Sequence, residues 1–180
     1  RNQYSIHGMA LAISMIIRDL PSLPGGISVV EMDAVMSVSE ILVSTLTNGT
    51  LKEASPSGTC TCVRAGLNII CCVLTTGPTA ISGRIAGVFG LWQKVTTTST
   101  NGKKFTSDHE MICIEAIVTS IVAFLKYCGE LLLSIPDALS RTSLLLENVL
   151  PLFYAKGRLG AIPVNPIAES RLRSAKAAIL

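Results

Sequence analysis

Apolar residues return at helical spacing through almost the whole chain. Ile6, Met9, Ala10, Ile13, Ile16, Ile17 and Leu20 follow the i, i+3, i+4, i+7 rule and predict a first helix. Pro21-Ser22-Leu23-Pro24-Gly25-Gly26 ends it, since proline removes a backbone donor and glycine relaxes the chain. Ser28 with Glu31 forms a capping-box pattern that opens a second helix running to about Leu46, with Val35, Val38, Leu42 and Leu46 on one face. Asn48-Gly49 stops that helix, and the Ser/Pro/Gly-rich run 50–58 reads as a loop. A third helix is predicted from Cys60 to Leu74, closed by Thr75-Thr76-Gly77-Pro78. Pro78 suits the first turn of a fourth, whose inner stripe is Ile81, Ile85, Val88, Phe89, Trp92 and Val95.

The polar tract from Thr96 to Lys104 then predicts a surface loop. Ser107 and Glu110 make a second capping box ahead of the longest helix, with Ile114, Ile117, Val118, Ile121, Leu125, Cys128 and Leu132 inward. Ser134-Ile135-Pro136-Asp137 restarts the chain as a sixth helix through Leu139, Leu145, Leu146, Val149 and Phe153, which Pro151 should kink or end early. Asn165 and Pro166 read as cap and first position of a seventh. No period-two run bounded by hairpin turns suggests a strand.

The expected fold class is therefore all-α, with about seven helices in one continuous unit over 1–180. Helical pairs fall at 3–48, 59–99 and 107–153, with a further helix starting at 166–180. That loose spacing resembles the helix pairs of HEAT or armadillo arrays, so an α-solenoid of antiparallel pairs is the preferred architecture. An irregular helix bundle is the alternative. Arg1 at the start and a helical pattern still running at Ala177-Ala178-Ile179-Leu180 predict an internal segment of a longer protein.

Composition sharpens this picture. Hydrophobic residues make up 49% of the 180 positions and charged residues 15%, with mean hydropathy +0.53. That excludes a disordered chain. A net charge of +3 without a Lys/Arg cluster excludes a basic nucleic-acid binder. The rival is a helical membrane protein, because no charge occurs between Arg64 and Arg84. Yet a span needs about 20 predominantly apolar residues, and the Thr-Thr-Gly-Pro break falls in the middle of this one. The apolar run Met111–Leu125 carries Glu115, and aromatic belts are missing. Gly83-x-x-x-Gly87, with Gly90, reads as a small-residue face for tight helix packing outside a membrane. An isolated slice of an array should be poorly soluble, because its neighbours normally cover its two ends.

No residue is nominated as catalytic, cofactor-binding or metal-ligating. Cys60-x-Cys62 and Cys71-Cys72 invite a zinc reading, but all four fall on one helical stretch. Cys62 and Cys72 stand about 15 Å apart along it. Cys113 and Cys128 lie on or beside the buried stripe of the fifth helix, and free buried cysteine behaves as a small hydrophobe. That usage points to a reducing, cytoplasmic compartment and against a redox thiol, which needs an exposed electropositive turn. His7 and His109 stand alone, without the H-E-x-x-H spacing. Asn48-Gly49-Thr50 fits the glycosylation pattern, but the cysteine usage argues against secretion. Glu31, Asp33 and Glu40 read as a solvated helix face rather than an acid/base pair. Arg171, Arg173 and Lys176 form a basic face on the last helix; a weak contact with acidic protein or lipid headgroups is its sharper reading.

Ser82–Gln93, Glu115–Cys128 and above all Glu130–Glu147 together resemble an internal segment of the large HEAT-repeat-containing protein 5 family, related to plant Sweetie. The resemblance runs through most of 80–180, in packing motifs. It implies a non-enzymatic cytoplasmic α-solenoid needing no cofactor. By the same resemblance, such a scaffold binds protein partners of the clathrin-adaptor machinery and associates peripherally with trans-Golgi network and endosome membranes. It carries no partner-binding residue onto this segment.

Overall fold

In the computed structural model, which describes residues 2–19, 28–48, 56–100 and 107–154, the third long helix takes the centre. The helices are α1 (Asn2–Asp19), α2 (Val29–Asn48), α3 (Pro56–Thr75), the one-turn α4 (Pro78–Ile81), α5 (Ile85–Thr100), α6 (Ser107–Cys128), the one-turn α7 (Leu131–Ser134) and α8 (Ala138–Tyr154). A 3-10 turn at Ser82–Arg84 joins α4 to α5. Among the described residues there is no strand.

α3 packs extensively against α1, α2 and α6, which is why it is apolar on most of its circumference. Val63, Ala65, Leu67, Ile69, Ile70, Val73 and Leu74 are fully buried along it. α5 in turn contacts α2, α6 and α8. Most contacts between the described long helices join every second one, α1 to α3 to α6 and α2 to α5 to α8, while α2 on α3 and α5 on α6 join the two rows.

Individual contacts give the helix directions. Arg18 at the end of α1 lies near Cys72 toward the end of α3, and the Cys128 thiol at the end of α6 donates to the Leu74 carbonyl at 3.3 Å. α1, α3 and α6 therefore run in one sense. Arg84, just ahead of α5, donates to Asp33 near the start of α2 at 2.6 Å. The Arg141 guanidinium, early in α8, sits 5.0 Å over the ring of Phe89, early in α5. α2, α5 and α8 share a sense as well. It is opposite to the first, because Thr45 late in α2 bonds to Cys62 early in α3, while Gly66 further along α3 faces Ser39 and Val43.

Local chemistry explains most boundaries. The Ser28 capping box forms as the sequence requires: the Ser28 N–H donates to Glu31 Oε2 at 2.8 Å and the Glu31 N–H to Ser28 Oγ at 3.2 Å. These bonds hold the Glu31 carboxyl below its ordinary value of 4.5, the Ser28 N–H bond being the larger cause. A depressed carboxylate stabilises the fold above its unfolded value and loses that contribution as pH falls through the folded one. Ser28→Ala should lower stability by about 1 kcal/mol. Acid titration of the thermal midpoint below pH 4.5 should be shallower in that variant than in the parent. At the next break Gly77 takes φ 101° and ψ 174°, a region reserved for glycine, and Pro78 occupies the first turn of α4.

Several expectations are corrected. The fourth predicted helix is interrupted, since Ser82–Arg84 tightens to 3-10 before α5 begins. The loop expected from Thr96 is helical to Thr100. There the threonine hydroxyls turn back onto their own helix, Thr96 to the Trp92 and Gln93 carbonyls at 3.0 Å and Thr97 to Gln93 at 2.8 Å. α8 continues past Pro151 to Tyr154, because only the last turn remains to be disrupted. Met9, Ile16, Val38, Leu125 and Leu139 are exposed rather than inward. The buried side of α1 is Ala10, Ser14 and Ile17, of which Ala10 and Ile17 stand in the expected stripe, and that of α2 is Met32, Ser39 and Val43; Ser14 and Ser39 are the positions that hydrophobicity alone passes over. Leu132 is half-buried and belongs to α7, beyond the end of α6.

The small-residue face on α5 is also not a packing seam. A Cβ placed on Gly83, Gly87 or Gly90 meets nothing within 4 Å. The close approach is made by Gly66 on α3. Ser14 Oγ is buried without a hydrogen-bond partner. Ser14→Ala should therefore leave the urea midpoint unchanged or raise it, since it removes an orphaned hydroxyl.

Candidate interaction surface

The chemistry-bearing side chains do not converge. Cys60 and Cys62 point into the core from α3, Cys71 and Cys72 are half-buried near its end, and Cys113 and Cys128 are fully buried on α6. All six are free thiols. Burial pushes the Cys62 thiol up, and it pushes Cys71 and Cys128 to about 11, with Cys72 and Glu130 adding to the respective effects. These are the opposite of activated thiolates. Iodoacetamide at neutral pH should label Cys71 and Cys128 slowly, and fast selective labelling of either would contradict their placement. A raised thiol stabilises the fold below its ordinary value of 9.0, so that contribution should fade as pH rises from 9 toward 11.

Among the described residues, no three His, Cys, Asp or Glu side chains gather as a metal site. Glu31, Asp33 and Glu40 are exposed on α2, with Glu31 in the cap and Asp33 on Arg84. His7 is half-buried on α1. The His109 and Glu110 side chains, the Asn165–Pro166 cap and the basic residues Arg171, Arg173 and Lys176 lie outside the described residues.

What the chain does present is surface. The outward residues of α1 are Gly8, Met9, Leu11, Ala12, Met15 and Ile16, with Met9, Met15 and Ile16 more than half exposed. No Asp, Glu, Lys or Arg interrupts the sequence between Arg1 and Arg18. Val38 and Ile41 extend exposed apolar area onto α2, and Leu133 on α7 is 91% exposed.

The outward side of α3 is different: Thr61, Arg64, Asn68, Cys71, Cys72 and Thr75, all half-buried. Arg18 beyond one flank pairs with Asp19 at 3.0 Å. Lys126 beyond the other sits 5.1 Å over the Tyr127 ring. Among the described residues, neither Arg64 nor Asn68 has an ion pair or a hydrogen bond from its side chain. No hydrophobicity pattern could have marked them, because what distinguishes them is the absence of a partner.

Among the described residues one helix is long and apolar enough to cross a membrane, at Gly58–Thr75, with mean hydropathy 1.4 and 61% of that window buried inside the fold. It lies within α3, so its apolar faces are already occupied by α1, α2 and α6. No family model, curated protein or solved structure matches this chain.

Proposed function

We propose that this chain is a structural and interaction segment, built as a HEAT-like α-solenoid, with no catalytic centre of its own. The observation that carries the reading is the pattern of contacts. α1, α3 and α6 run one way and pack as one row, α2, α5 and α8 run the other way and pack as a second, and the rows meet where α2 packs on α3 and α5 on α6. Stacked pairs in a repeat array generate that pattern, because each repeat buries its apolar face only against the adjacent ones. In this reading the side of α1 that carries Met9 and Ile16 is the docking face for a further helix of the array. The low share of charged residues follows from helices covered on both sides.

A place in clathrin-adaptor-linked traffic between the trans-Golgi network and endosomes is supported by the resemblance of residues 82–93, 115–128 and 130–147 alone. A helical membrane fragment is the competing reading, favoured by the apolar window in α3. Alkaline carbonate extraction of membranes from cells expressing the protein separates the two. The scaffold reading expects release into the supernatant; retention in the pellet favours the membrane reading.

A further inference from the structure

We propose that the outward side of α3, centred on Arg64 and Asn68, is a docking strip for an acidic, extended peptide segment of a partner protein. The inference deepens the interaction reading above and rests on it only for the existence of a protein partner. Register places the neighbours. Cys128 at the end of α6 meets Leu74 near the end of α3, and α3 packs along both α1 and α6. Arg64 and Asn68, in the middle of α3, are therefore flanked by the middle of α1 and the middle of α6.

The outward residues at that level are Leu11 and Met15 on one side, 45% and 57% exposed, and Thr119 and Val122 on the other. The strip thus reads apolar, then guanidinium and carboxamide, then hydroxyl and apolar. Its charges are Arg18, Arg64 and Lys126 against Asp19 and Glu115. Arg18 is paired with Asp19, Lys126 rests on Tyr127, and Glu115 has its own interaction. Among the described residues Arg64 is left as a half-buried cation without a counter-ion.

A guanidinium in that position suits a carboxylate, which it grips through two parallel bonds. Asn68, one turn along at about 6 Å of rise, offers a donor and an acceptor together, the complement of one peptide group. Two residues of extended chain span about 7 Å, so a carboxylate and a neighbouring backbone amide reach both side chains at once. Leu11 and Met15 provide an adaptable apolar wall for a side chain beside the acid. A nucleic acid would require many phosphate contacts from clustered cations, and a flat bilayer cannot reach into a half-buried side chain on the central helix.

The test is fluorescence anisotropy on the purified 180-residue chain. The probe is a fluorescein-labelled decapeptide alternating Glu and Leu, with the Lys-for-Glu peptide as its counterpart. The Glu peptide should bind, and binding should weaken with salt. Arg64→Gln should weaken it about tenfold or more and Asn68→Ala several-fold. Arg64→Lys should recover only part of the loss, because an ammonium cannot make the paired bonds. Neither Arg64→Gln nor Asn68→Ala should lower the thermal midpoint, since neither side chain has a partner to lose among the described residues and alanine favours the helix at 68, so lost binding is not mistaken for lost folding. The proposal is overturned if the Glu peptide does not bind, if the Lys peptide binds equally, or if Arg64→Gln leaves affinity unchanged. It is also overturned if the Arg64-dependent binding is to phosphatidylserine vesicles instead of peptide. Any of these results leaves the array reading standing, because hydrogen exchange on a truncated chain tests that separately.

Discussion

Replacing Gly66 by alanine should lower the unfolding free energy by about 2–3 kcal/mol, while the same change at Gly87 should raise it by about 0.5–1 kcal/mol. The two glycines look alike in sequence, each inside an apolar helix. At Gly66 a new Cβ would stand 2.8 Å from the Ser39 carbonyl oxygen, 2.8 Å from Val43 Cγ2 and 3.1 Å from Leu42 Cβ. The carbonyl belongs to the backbone of α2 and cannot swing aside, so α2 and α3 must separate along their crossing. At Gly87 the added methyl meets nothing within 4 Å. There alanine only removes the conformational freedom that glycine has in the unfolded chain. Urea denaturation of both variants measures the difference, and equal effects at the two sites would mean the helices do not cross at Gly66.

The second large effect is expected at the aromatic cluster where α5 meets α6. Phe89, Trp92 and Phe124 pack edge to face in all three pairs, with ring centroids 5.4, 5.6 and 5.8 Å apart. All three are buried, and Arg141 from α8 lies against Phe89. Trp92→Ala should cost about 3–5 kcal/mol through lost contacts and the cavity left behind. Trp92→Phe should cost less than half of that. The indole Nε1 is buried without a hydrogen-bond partner, so the smaller ring loses area but no bond. Because Trp92 is the single tryptophan of the chain, parent emission should be blue-shifted and move red on unfolding. Phe124→Ala and Trp92→Ala should combine less than additively, since each removes part of the same contact.

The helical class, the capping box at Ser28, the break at Gly77-Pro78 and the inner stripe of α6 were legible in the sequence because each depends on neighbours a few residues apart. Ile114, Ile117, Val118, Ile121 and Cys128 turn inward as their spacing requires. Which face of α1 and α2 turns inward was less legible. Both helices are apolar on more than one side, so periodicity selects no unique stripe, and Met9, Ile16 and Val38 stay exposed while Ser14 and Ser39 are buried. The glycine contacts were misread for a related reason. A small-residue spacing states that a close approach is possible, and only the long-range crossing decides whether it occurs at Gly83 and Gly87 or at Gly66. Threonine at 96 and 97 was read as loop, yet each hydroxyl satisfies itself on the preceding turn and lets the helix continue. Of the candidate interaction surface, nothing was legible at Arg64 and Asn68, whose significance lies in partners they lack.

The central claim is that the chain is a near-neighbour array rather than a bundle in which every helix depends on every other. Amide hydrogen exchange on a chain truncated after Ser134 tests it most directly. α8 packs extensively on α5 and α7, and α3 packs on α1, α2 and α6. The array therefore predicts that protection falls in α5 and α7 while α3 keeps its slow amides. Uniform loss of protection, reaching α3 and α1, would contradict it.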